Sequence, residues 1–287
     1  MREYVITTDA TADLPAGWLE NSGVEVVAMP YVMGDTEYGI SKKQTYEDFY
    51  SAMKAGAMPT TSQASLESAE NIFSKYADEG KDILHISFSS GMSGSFSGVS
   101  LVAKQTEQKY GVTVKVIDSL SGAGGEGLLV YYASKLKKEG RTLEDIAEWI
   151  ENNKLYVNHL FVVEDLAHLR RGGRVSRIEA LLGGILGIKP VLKLSDEGRI
   201  VPVAKARGMR RAVENMIEAA ESSFTPDKND FILVSHGHNE EAAKLLGQTL
   251  FSKFGVRVEY SYVSYLVGAH AGPGCLAVFF MGKNKGR

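Results

Sequence analysis

The sequence contains a single cysteine, Cys275, among 287 residues. No intramolecular disulfide is therefore available, and a chain this long without one fits a reducing compartment. No apolar run is long enough to span a bilayer; the longest, near Leu276–Met281, has the length of a strand. The first β-rich run, residues 4–8, is not preceded by the apolar stretch of a signal peptide. A cytoplasmic protein without stable membrane insertion is expected. Charge of either sign is not in excess: 32 Lys plus Arg against 35 Asp plus Glu leave a net charge of −3. Bulk binding to nucleic acid is not expected of such a chain. Internal repeats, low-complexity segments and a Walker A loop are absent too. What is present, 44% hydrophobic and 23% charged residues, is the composition of a globular chain with a sizeable core.

In the first half, β-rich runs alternate with helical periodicity. The runs are residues 4–8, 24–32, 83–88 and 112–118; the helical stretches are 66–76, 99–110 and 127–138. Thr142 has the chemistry of an N-cap, with Asp145 at the capping-box position. Such alternation implies parallel strands with helices on both faces. The second half is mixed. A strand over 156–163 is followed by an apolar helix over 178–188, bent near Gly183 and Gly184. A hairpin then pairs 191–194 with 200–204 across a turn at 196–198. A helix over 210–220, a βαβ-like stretch over 231–263 and a closing strand at 276–281 complete the pattern. The fold class is α/β: an N-terminal three-layer parallel-sheet domain over 1–154 and a C-terminal mixed-sheet domain over 155–287.

Ligands of open α/β sheets sit beyond the carboxyl ends of the strands. Several such ends here are rich in small polar residues: 9–13, 89–95, 118–122 and 235–238. Another polar stretch, Pro59-Thr60-Thr61-Ser62-Gln63, precedes a helix that Thr61 or Ser62 is placed to cap. Hydroxyls and N–H donors abound at these positions and cations are few. That suits one carboxylate or phosphate better than a polyphosphate.

Four further patterns each admit a functional and a structural reading. Residues 122–127 match G-x-G-x-x-G after a strand, but no strand ending in Asp or Glu follows about 20 residues on; close helix–strand packing is the plainer reading. Gly91-Met92-Ser93-Gly94-Ser95 resembles a nucleophile elbow but ends in Ser, and no triad is complete around it. His236 and His238, spaced i, i+2, have no further Cys or His cluster beside them, so no metal site is expected. Clusters at 170–177 and 205–211 concentrate arginine, for gripping an anion or acidic partner or as a solvated face.

Taken in order, these segments resemble the DegV family, bacterial fatty-acid-binding proteins that serve as the lipid-carrying subunit of fatty acid kinase. The carrying motifs are Thr8-Asp9-Ala10-Thr11-Ala12-Asp13-Leu14-Pro15, the Pro59–Gln63 and Ser89–Ser95 loops, Asp118-Ser119, Leu166–Arg174, Leu186–Leu192 and Gly268–Gly274. The resemblance implies a long-chain fatty acid buried between two α/β domains. It implies a carboxylate bound by Thr61, Ser93 and His270, with Ser62 and Gly94 as helpers. It implies no cofactor, no metal and no catalytic residue in this chain. A separate kinase subunit would phosphorylate the carboxylate with ATP, meeting this chain at Arg174 and Arg207. Ile178, Leu181, Leu182, Ile185 and Leu186 are candidates for the acyl tunnel. Two departures from the family pattern stand out: Ala64 replaces a common Pro, and the stretch after Asp118-Ser119 is Gly-rich, at 122, 124, 125 and 127. The rival reading is an enzyme, a hydrolase or phosphotransferase acting on a small anionic metabolite.

Overall fold

The computed structural model describes residues 2–15, 17–174 and 188–283. In chain order the elements are β1 (Tyr4–Asp9), α1 (Trp18–Ser22), β2 (Glu25–Val27), β3 (Tyr31–Met33), β4 (Thr36–Tyr38), α2 (Tyr46–Lys54), β5 (Thr60–Thr61), α3 (Leu66–Asp78), β6 (Asp82–Ser87), α4 (Ser95–Tyr110), β7 (Val114–Asp118), α5 (Gly124–Lys138) and α6 (Leu143–Asn153). They continue with β8 (Val157–Val162), α7 (Leu166–Arg171), β9 (Ile188–Leu194), β10 (Ile200–Arg207), α8 (Met209–Ser223), β11 (Ile232–His236), α9 (Glu240–Phe254), β12 (Val258–Tyr262), α10 (Tyr265–Ala271) and β13 (Leu276–Met281).

β2-β1-β6-β7 form a parallel sheet. The central strands β1 and β6 are buried on both faces, because successive residues point to opposite sides. Val5, Ile83 and Val114 meet Phe73 of α3 and Val99 and Val102 of α4. Ile6, Leu84 and Ile117 meet Leu128 of α5 and Ile146 and Ile150 of α6. The result is the expected three-layer arrangement. β10-β9-β8-β13-β11-β12 form a second sheet that is mixed, with β11 parallel to β12 and the other pairs antiparallel. α8 and α9 cover one face of it. α5 packs on both sheets: Leu233 and Phe279 of the second sheet share a core with Leu128 and Leu129. One buried helix thus joins the two sheets.

Several sequence expectations need correction. The run at 24–32 is not one strand. Pro30 has no N–H for a ladder, and the chain turns there from β2 into β3, which belongs to a small antiparallel sheet β4-β3-β5. The cap of α3 is Ser65, whose hydroxyl accepts from the Ser68 N–H, not Thr61 or Ser62. Of the helix expected over 178–188, Ile188 lies in β9 and the rest falls outside the described residues. The capping box of α6 is present as read, with Thr142 and Asp145 bonding reciprocally. Among the described residues no helix is long and apolar enough to cross a membrane.

Candidate functional site

The carboxyl ends of β1, β6 and β7 lead into three loops that face the second sheet. Asp9 organises the first two. Its Oδ2 accepts from the Ser87 hydroxyl and the Phe88 N–H, both at 2.8 Å, and its Oδ1 lies 3.4 Å from His85 Nε2. Asp118 accepts from the Ser90 and Leu120 N–H groups, tying the loop after β6 to the loop after β7. Glu126 of α5 accepts from Thr8 and Thr11. Burial, then the charge of Asp9, pushes the Glu126 carboxyl well above the usual range. These acids are structural braces, and none of the three lines the cavity they hold open.

That cavity has a volume of about 980 Å³ and lies between the loops of the parallel sheet and the strands of the mixed one. Thr61, Ser62, Ser93, Gly94 and His270 all line it, as does Arg174. The structure therefore brings together six of the site residues read from the sequence. Arg207 is not among them; it ends β10 and is exposed. Ile178, Leu181, Leu182, Ile185 and Leu186 lie outside the described residues. The apolar walls that sequence reasoning missed include Phe88, Phe161, Leu194, Ile200, Leu266 and Phe279. They come from five elements and one loop, and no local pattern marks such a set.

The polar residues form one braced cluster. Thr61 is held in β5 by pairing with Tyr31, and its hydroxyl lies 2.8 Å from His270 Nε2. His270 is carried in the last turn of α10. Gly172 packs so closely on its Nδ1 that a Cβ there would overlap the ring. Ser93 Oγ lies 2.9 Å from Ser95 Oγ, and Ser95 Oγ accepts from the Ala64 N–H. Ser95 thereby locks the 89–95 loop to the 59–64 stretch. A Cβ at Gly94 would sit 2.6 Å from Nε2 of the exposed Gln63 side chain, which packs over the glycine. Gly94 begins α4 without a side chain to cap it. The positive end of this 16-residue helix opens on the cavity beside Ser93.

Among the described residues lining the cavity, Arg174 is the one with a permanent charge. Its guanidinium bonds the carbonyls of Met92 and Gly172 across the rim. Burial, then the charge of Arg174, lowers the His270 pKa to about 4. The imidazole is neutral at physiological pH. Ser93 pairs with Ser95 and His270 with Thr61, so these two do not form a serine–histidine dyad. The remaining motifs resolve structurally. Gly124 and Gly125 abut Phe279 and His159, which is close helix–sheet packing. His236 is buried and accepts from the Asn239 N–H. Among the described residues no group of His, Cys, Asp and Glu is arranged to hold a metal. Cys275 is buried, and burial pushes its thiol up to about 12. Ellman's reagent should label it about a thousandfold more slowly in the native protein than after urea denaturation; rapid native labelling would contradict this environment.

A parallel α/β layer and a mixed sheet thus enclose an apolar cavity with a neutral polar cluster and, among the described residues, one arginine at its rim. The chain belongs to the DegV family. The family model described as "Uncharacterised protein, DegV family" matches residues 3–283. A DegV domain-containing protein of Clostridium perfringens is 33% identical, over 99% of both chains. Among solved structures, a fatty-acid-binding DegV family protein from Thermus thermophilus is 29% identical, with a TM-score of 0.85, covering 97% of this chain and 99% of that one. DegV of Bacillus subtilis, described as a fatty acid binding protein, is 28% identical with a TM-score of 0.84 over 97% and 99%.

Proposed function

We propose that this protein binds a long-chain fatty acid in the cavity and presents its carboxylate to a separate ATP-dependent kinase subunit for acyl-phosphate formation. The observation that carries the reading is a single cavity of about 980 Å³ with apolar walls and Thr61, Ser62, Ser93, Gly94 and His270 gathered on it. Fatty acid binding by the Thermus and Bacillus relatives supports it. The carboxylate would take hydrogen bonds from the Thr61, Ser62 and Ser93 hydroxyls and from the opening N–H groups of α4. Neutral His270 would orient the Thr61 hydroxyl. Burying an acyl chain contributes about 0.8 kcal/mol per methylene, of order 12 kcal/mol for a long chain before ordering costs. A cradle without an ion pair holds the head group without trapping it. Arg174 at the rim and Arg207 on exposed β10 would meet the kinase. In this reading the chain itself performs no chemistry, works in the cytoplasm, and divides into domains after α6, at 154/155.

The test is organic extraction of purified protein from a lipid-replete host, followed by mass spectrometry. Near-equimolar fatty acid is expected. His270→Ala and Thr61→Val should each weaken palmitate binding roughly tenfold, the effect of losing hydrogen bonding to a charged head group. An empty extract would overturn the acyl reading. Hydrolysis of ATP or an ester by the protein alone would overturn the non-catalytic one.

A further inference from the structure

We propose that the contact between Gly122 and Phe88 sets the acyl-chain length this cavity accepts; the inference rests on the fatty-acid reading above. The glycine run over 122–127 divides by what each residue faces. Gly124, Gly125 and Gly127 press on Phe279, His159 and the Asp13 backbone, and none of these three glycines lines the cavity. Gly122 instead faces the edge of the Phe88 ring, and both residues line the cavity. A Cβ at Gly122 would overlap Phe88 Cε2 and lie 3.1 Å from Cδ2 and Cζ. The glycine lets the half-buried ring lie back into the wall.

Phe88 cannot relieve such an overlap by moving its backbone. Its N–H is held by Asp9 Oδ2 at 2.8 Å. On either side, the Ser119 N–H bonds the Ser87 carbonyl at 3.1 Å and the Ser89 N–H bonds the Ser121 carbonyl at 2.8 Å. The loop carrying the ring and the loop carrying Gly122 are thus stitched together. Gly122 is absent from the glycines with positive φ, so alanine adopts its backbone without strain. The three atoms nearest the added methyl all belong to the ring, and the side on which the ring has room is the cavity. Gly122→Ala therefore takes space from the acyl chain, and Phe88→Ala returns it.

Delipidated full-length protein is titrated with a fluorescent fatty acid, which is then displaced by saturated acids from laurate to arachidate. Gly122→Ala is expected to lower stearate affinity relative to myristate by about tenfold, the cost of overfilling a packed site. Phe88→Ala should shift the profile the other way, by about fourfold per methylene newly accommodated. The double variant should lose the Gly122→Ala penalty, because the ring that transmits it is gone. An unchanged stearate-to-myristate ratio in Gly122→Ala overturns the inference while leaving fatty acid binding intact. So does a penalty that persists in the double variant. Should Gly122→Ala fail to fold, an unchanged profile in Phe88→Ala overturns it equally. Wild-type protein that binds none of the acids overturns the fatty-acid reading and this inference with it.

Discussion

Replacing Gly127 with alanine is expected to lower the unfolding free energy by about 3 kcal/mol, the upper range for forcing a methyl into a packed interior. Helix propensity alone predicts the opposite sign, a gain of about 1 kcal/mol for Gly→Ala inside a helix. Gly127 is buried in the first turns of α5, and a Cβ there would overlap the Asp13 carbonyl oxygen and lie 3.1 Å from Leu14 Cγ. The obstructing atom is backbone, and that backbone is tied down. The Asp13 N–H bonds the Ala123 carbonyl at 3.2 Å, Thr11 bonds Glu126, and Asp13 Oδ1 accepts from the Ser264 N–H at 3.1 Å. Any retreat of the 11–14 segment breaks its bonds to the start of α5 and to Ser264 ahead of α10. Gly98 of α4 is the control, since its Cβ would meet the end of the exposed Leu66 side chain. Gly98→Ala should be neutral or stabilising by up to about 1 kcal/mol. Urea denaturation measures both. A Gly127→Ala protein as stable as the parent would show that the segment yields, and that the glycine is not a packing requirement.

The second large effect concerns Asp13. Its carboxyl is buried, and that burial raises its pKa to about 7 against an ordinary 3.8. Ser264 opposes the shift through its hydrogen bonds, while Cys275, Tyr46 and Tyr50 lie within electrostatic reach. The folded state holds the proton more tightly than the unfolded state. The associated stability is therefore fully present below about pH 3.8 and is lost as pH rises through about 7. Asp13→Asn keeps an acceptor for the Ser264 N–H and removes the titration. Between pH 5 and pH 8 the variant's advantage in unfolding free energy should grow by about 2–3 kcal/mol. His270 titrates in the opposite sense. Its pKa is depressed, so its contribution is present above about 6.5 and lost as pH falls through about 4. Because His270 remains in both proteins, the difference between them isolates Asp13. Parallel stability curves over this range would mean that Asp13 is ionised in the folded protein.

How much of this was legible depended on where each element's information resides. The central parallel strands β1 and β6 are buried on both faces, so each reads as a local β-rich run. The capping box of α6 and the full extent of β13 were readable because their signals lie within one segment. β5 is two residues long and exists through its pairing with Tyr31. α10 spans seven residues including Gly268, below the length at which an isolated helix is stable. It is held by the stacking of Tyr265 on Tyr31 and Tyr46 and by the burial of Leu266 and Ala269. Neither element announces itself, yet together they bring Thr61 and His270 to 2.8 Å.

By itself the sequence determined the α/β class, the parallel and mixed halves, the family, and the polar residue types offered at the strand ends. Periodicity, caps and small-residue loops are local properties, written in consecutive side chains. Only the tertiary structure decided that Thr61, Ser62, Ser93 and His270 share one cavity, that α5 is packed between two sheets, and that the wall includes Phe88, Phe161 and Phe279. Those facts depend on contacts between residues far apart in the chain, such as Thr61 with His270, and packing of the whole molecule is what brings them within reach.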